Sequence, residues 1–154
     1  MKLGRLGPMG REIPIVDVGG TIYDVRPVAP DIDGDFLGGA GIARVRDALE
    51  AGTLPRIAPE EIAGLRVGSP IARPGAVICI GMNYAAHAAE SGSAPPREPI
   101  MFLKTPNTVV GPFDPVEIPR GSTKTDWEVE LGVVIGRRAL YLDSPADSMR
   151  HVAG

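Results

Sequence analysis

Two carboxylates interrupt an apolar run in this chain. In "TDWEVELGVVIG", residues 125–136, Glu128 and Glu130 alternate with Trp127, Val129, Leu131, Val133 and Ile135. Extended backbone sends successive side chains to opposite faces, so the two glutamates share one face with Cα atoms about 7 Å apart. That spacing lets both carboxylates converge on one cation, and oxygen donors suit a hard ion such as Mg²⁺, Mn²⁺ or Ca²⁺ with water completing the shell. The plain alternative is the wet face of a half-buried strand. Against it, Gly132 and Val134 continue the glutamate face, so its polar character ends after two residues.

A second pair lies in "NYAAHAAE", residues 83–90, where His87 and Glu90 are three apart and would be neighbours on one face of a helical turn. A carboxylate within hydrogen-bond reach of an imidazole fixes its tautomer and raises its basicity, which makes a general base. The same spacing also describes a surface histidine beside a surface glutamate.

The elements that must position these pairs are short. "MKLGRLG", "IPIVDV" and "TIYDVRPV", the last two joined by Gly19-Gly20, predict a β-meander over residues 1–30. Ile42, Val45 and Leu49 at helical spacing predict a helix over 39–51, stopped by Gly52. A Pro- and Gly-rich connector over 52–75 places a boundary near residue 70, giving a small β-rich domain over 1–70 and a second domain over 71–154. There "AVICI" reads as a strand, Gly81 as the point where the chain turns, and 84–91 as a short helix ended by Gly92. "IMFLK" is a further strand, 125–136 another, and Ser144-Pro145 supplies an N-cap and first-turn proline for a helix. The class expected is α+β, mainly β.

Composition excludes several roles. With 154 residues, 44% hydrophobic and 23% charged, the chain has the make-up of a soluble globular protein. Its net charge of −3 and the absence of a basic stretch argue against nucleic acid as a partner. No apolar run reaches the roughly 18 residues that cross a bilayer, and the first residues contain no apolar core of a secretory leader, so neither membrane nor export is expected. The single cysteine, Cys79, can form no internal disulfide; a buried, inert thiol in a reducing cytoplasm is expected. The 20 glycines and 16 prolines punctuate short strands and turns rather than forming a low-complexity block.

Three stretches together, "ICIGMNYAAHAAESG" at 78–92, "PIMFLKTPNTVVGP" at 99–112 and "IPRGSTKTDWEVELGVVIG" at 118–136, resemble the fumarylacetoacetate hydrolase family, in its bacterial branch of small-molecule hydrolases, hydratases, isomerases and decarboxylases. The resemblance covers roughly residues 70–154, and the first 70 residues look like the family's small N-terminal segment. It implies a mixed-β catalytic domain in which Glu128 and Glu130 are carboxylate ligands of an active-site Mg²⁺ or Mn²⁺. It also implies that His87 and Glu90 form a dyad on a segment that closes over substrate. Lys104 and Lys124 are its candidates for contacting a substrate carboxylate, an ordinary surface lysine being the plain alternative for each.

The activity implied is cleavage of a carbon–carbon bond in a small 2-oxo or diketo acid, with isomerisation, decarboxylation or hydration as the family's other reactions and a homodimer as its usual state. Two departures narrow the branch. Met82 stands where acylpyruvate hydrolase-like members carry Arg, and "AVICIG" lacks the Asp ligand of fumarylacetoacetases proper; both point toward sugar-acid or aromatic catabolism. The resemblance also implies a third metal ligand, an Asp, and further strands beyond residue 154. On that expectation the chain is the first half of a catalytic domain, with open apolar faces that favour self-association. A non-catalytic fragment and an unrelated β-rich binding module are the alternatives from other classes.

Overall fold

The computed structural model describes residues 1–154, which divide into two compact units, 1–72 with 110–154 and 73–109. The first begins with the expected meander: β1 (Lys2–Leu6), β2 (Ile13–Val18) and β3 (Thr21–Asp24) form an antiparallel sheet in sequence order. Gly19 and Gly20, both at positive φ, turn β2 into β3, and the Gly20 N–H donates to the Asp17 carboxylate at 2.8 Å. Register pairs Val18 with Thr21 across that turn and Leu3 with Val16 across the other hairpin.

The connector does more than join domains. Val67 bridges to Leu6 on the outer side of β1, with backbone hydrogen bonds Gly7 N–H to Arg66 O and Gly68 N–H to Arg5 O, both 2.8 Å. Arg56 bridges to Tyr23 on the outer side of β3, with Asp24 N–H to Pro55 O and Ile57 N–H to Ile22 O, both 2.9 Å. Both edges of the three-stranded sheet are thereby paired by loop backbone, which satisfies amides that an open edge would present.

Against this sheet pack α1 (Gly34–Gly38) and α2 (Gly41–Glu50). The periodicity of Ile42, Val45 and Leu49 places them on the core as expected: Val45 is fully buried and the other two are half-buried. The helix α1 has no sequence periodicity because it is five residues long. Asp33 caps it, accepting from the Phe36 N–H at 3.1 Å, and Phe36 anchors it in a core with Val16, Val25, Ile32, Val45 and Leu54. Gly41 opens α2 directly on the Phe36 ring; a Cβ there would lie 2.3 Å from Phe36 Cδ2. A third short helix, α3 (Pro59–Ile62), follows in the connector.

Beneath the connector runs a chain of ion pairs. Arg5, only 7% exposed, donates to Asp31 at 2.6 Å and to Glu12 at 2.9 Å; Glu12 accepts from Arg66 at 2.8 Å; and Arg66 grips Asp114 with two parallel bonds. Burial alone would push the Glu12 carboxyl up, but its backbone hydrogen bond and the two guanidiniums hold it below the usual range. The Asp114 carboxyl is lowered too, by the Arg66 hydrogen bonds first and the Gly111 N–H second. Groups whose folded pKa is depressed contribute stability that is complete above their unfolded pKa and is lost as pH falls through the folded one. The urea midpoint should therefore be level from about pH 7 to pH 5 and fall below about pH 4. Glu12→Gln should lose about 2 kcal/mol at neutral pH and flatten that acid fall; a variant with an unchanged acid limb would show that the network does not carry it.

The second unit holds β4 (Val77–Gly81) and β5 (Ile100–Lys104), antiparallel, with α4 (Ala85–Glu90) between them. Both strands and the helix fall where the sequence places them. Cys79 is half-buried rather than buried, because a two-stranded sheet covers only part of its side chain. On β5 every residue is exposed, including Met101, Phe102 and Leu103.

Two expectations for the last third of the chain are corrected. Residues 125–133 form no strand; only Ile135 pairs, with Val152, so the ladder expected over 125–136 is confined to its end. Alternation shows what a segment can pack against, but a strand also needs a partner for its backbone groups, and no other strand of the chain pairs with it. Trp127, on the face expected to be inside, is 81% exposed. Ser144-Pro145 does open a helix, but the turn over Pro145–His151 is 3₁₀, with the Ser144 hydroxyl on the Asp147 carboxylate at 3.0 Å instead of a backbone cap. The class is α+β, a small mixed fold in which helix and strand occupy similar lengths.

Candidate functional site

The residues singled out above fall in both units. His87, Glu90 and Lys104 belong to the second, and Lys124, Glu128 and Glu130 to the first.

In the second unit, β4 delivers the chain to α4 through a sharp turn. Gly81 was the residue expected to make it, yet the positive φ, 55°, falls on Met82, while Gly81 ends the strand opposite Ile100. Left-handed backbone at a residue with a Cβ costs about 1–2 kcal/mol, so the entry to α4 is strained. Sequence gave no sign of this, since methionine carries no preference for that conformation.

Six residues of helix follow. Ala88 is its one buried side chain, and Gly92, at positive φ, closes it as expected, with the Gly92 N–H on Ala89 O and Ser93 N–H on Ala88 O at 3.0 Å each. His87 and Glu90 lie three apart on this helix and are both exposed. No hydrogen bond joins the two side chains, so the imidazole stands open to solvent with its carboxylate neighbour one turn on. Such bonds commonly tighten only when substrate is bound. Lys104 ends β5, paired with Val77, and its side chain is exposed.

In the first unit, Lys124, Glu128 and Glu130 occupy the irregular stretch before Ile135, all three exposed. Local bonds shape it: Ser122 and Thr125 hydroxyls lie 3.3 Å apart and the Trp127 N–H donates to the Asp126 carboxylate at 2.8 Å. Both glutamates offer oxygen donors, the chemical type a hard divalent cation selects. Nowhere in the chain do three carboxylate, imidazole or thiol groups converge as a metal cage. The donor chemistry of the glutamate pair suits such an ion, and no third group stands beside it. No helix is long and apolar enough to cross a membrane.

Comparison with known proteins places this geometry in context. Residues 76–154 match the family model described as fumarylacetoacetate (FAA) hydrolase C-terminal, a stretch that includes all six residues above. Over its full length the chain is 48% identical to a protein of Burkholderia multivorans and 47% identical to one of Burkholderia cenocepacia, both provisionally named hydrolases. It covers 53% of each, so the chain spans about half the length of the curated relatives it matches. Among solved structures, it resembles the fumarylacetoacetate hydrolase of the psychrophile Exiguobacterium antarcticum, with TM-score 0.70 and 30% identity over 99% of this chain and 52% of that one. It also resembles a provisionally named HpcE protein from Mycobacterium smegmatis, with TM-score 0.68 and 32% identity over 97% of this chain and 51% of that one.

Proposed function

This chain belongs to the fumarylacetoacetate hydrolase family, and from that membership we propose that it serves a divalent-metal-dependent hydrolase cleaving a carbon–carbon bond in a small 2-oxo or diketo acid. The observation that carries the reading is the family match over 76–154, which holds a carboxylate pair and a His-Glu pair in one domain sequence. Hydrolysis is preferred to isomerisation, decarboxylation or hydration because the relatives carry hydrolase names.

In this reading Glu128 and Glu130 would hold a Mg²⁺ or Mn²⁺ ion, which would supply Lewis-acid charge to the reaction. His87 accepts a proton from water at a ring nitrogen, and Glu90 holds the opposite nitrogen's proton and steadies the imidazolium that results. Lys104 and Lys124 offer ammonium groups to the substrate's carboxylates. Exposure of His87 serves this role, because a base on a short helix must reach a substrate that arrives from solvent. A cytoplasmic homodimer acting in sugar-acid or aromatic catabolism is the setting this proposal gives it.

Chelation tests the metal role. EDTA should lower turnover of 2-oxo and diketo acids about tenfold or more, and added Mg²⁺ or Mn²⁺ should restore it. Turnover indifferent to EDTA would remove Glu128 and Glu130 from the mechanism.

A further inference from the structure

The chain leaves and rejoins itself between Gly136 and His151. At the base of this excursion the Gly136 and Arg137 N–H groups donate to His151 O at 2.9 and 3.3 Å, and Ala153 N–H donates to Val134 O at 2.8 Å. The residues in between line an open cleft of about 370 Å³ walled by Arg138, Tyr141, Asp143, Arg150 and His151, with two leucines. We propose that this cleft binds a small hydroxylated organic anion, carboxylate or phosphate.

Four observations bear on the ligand's chemistry. Both ring nitrogens of His151 are shut off from solvent and have no hydrogen-bond partner. An imidazole always has at least one N–H to donate, so an unmet donor lies just behind this wall of the cleft, and a turn of the ring would present it to a ligand. Two guanidiniums face one carboxylate in the lining, and Arg150 is the only one of them in an ion pair, with Asp147 at 3.2 Å. Asp147 offsets Arg150, which leaves the Arg138 guanidinium as the unpaired cation of the lining, and a guanidinium fork matches carboxylate and phosphate oxygens. Asp143 accepts only, so it calls for a donor on the same ligand, and a hydroxyl supplies one without cancelling the anion's charge. Finally, Tyr141 holds a left-handed φ of 50° with its side chain 91% exposed, a disfavoured conformation at the cleft wall. The volume lies within the range of small-molecule sites and exceeds the needs of a bare inorganic ion. None of these residues belongs to the proposed metal and dyad chemistry, so the inference stands apart from it.

The chain has only two histidines, which makes the test direct. Ring signals of His87 and His151 can be told apart by NMR with the variant His87→Gln, then followed while sodium gluconate or inorganic phosphate is added. The expected result is a saturable shift of the His151 ring with at least one anion and none of the His87 ring. Response to gluconate alone marks a carboxylate ligand, and response to phosphate alone a phosphorylated one. Arg138→Gln and Arg150→Gln remove exposed side chains and should each weaken the response about tenfold. The proposal is overturned if neither anion moves His151 by about 10 mM, if both rings drift together without saturation, or if both arginine variants respond as the wild type does.

Discussion

His87→Ala is expected to lower turnover about 10²- to 10⁴-fold while leaving affinity for Mg²⁺ unchanged. The two halves of that statement separate the proposed base from the proposed metal ligands. His87 projects from α4 in the second unit, whereas Glu128 and Glu130 lie in the first, so on the proposed roles removing the imidazole would take away proton transfer and leave both glutamates in place. Glu128→Gln should do the reverse: Mg²⁺ binding weakens, and turnover returns in part at raised Mg²⁺. Since Ala88, not His87, is the side chain that α4 buries, the alanine variant keeps the helix packing and its loss can be read as chemistry. Turnover by steady-state kinetics, together with Mg²⁺ affinity by calorimetry, checks both. Full activity of His87→Ala would sink the dyad assignment.

Phe36→Ala should destabilise the first unit by about 3–5 kcal/mol. Phe36 is 2% exposed and is the largest fully buried side chain in the chain. It does two jobs: it fills the space between the sheet and α2, and it anchors a five-residue helix far too short to persist by itself. Collapse around the missing ring is limited because the Gly41 backbone already touches it and cannot follow it inward without shifting all of α2. Domains of this size carry only about 5–15 kcal/mol in total, so the variant approaches the threshold of folding. Urea titration followed by circular dichroism measures the loss; a cost under about 1 kcal/mol would mean that the core refills from elsewhere.

The sequence could be read furthest where the physics is local. The Gly19-Gly20 hairpin, the Ile42, Val45 and Leu49 stripe, and the brief apolar runs of β4 and β5 each declare themselves within ten residues. Of the candidate site, the sequence showed residue types and spacings, and His87 and Glu90 do share a helix, but the placement of Glu128 and Glu130 depends on strand partners that alternation cannot supply. The ion network was invisible for the opposite reason: Arg5 meets Asp31, and Arg66 meets Glu12 and Asp114, over separations of 26, 54 and 48 residues. Met82 and α1 escaped because one rests on a conformation its side chain does not favour and the other on a single cap and a single ring.

The paired edges of the N-terminal sheet restrict how this chain can vary in length. Most loops tolerate added residues because nothing fixes their register. Here residues 55–57 and 66–68 are rungs of the sheet, so one residue inserted at either place would shift hydrogen bonds on β3 or β1 and drag Arg66 from Glu12 and Asp114. Gly19 and Gly20 have open space around them and adjoin no such rung. Insertions, tags and loop grafts therefore belong at that turn, and the connector, although rich in proline and glycine, is the part of the domain least free to change.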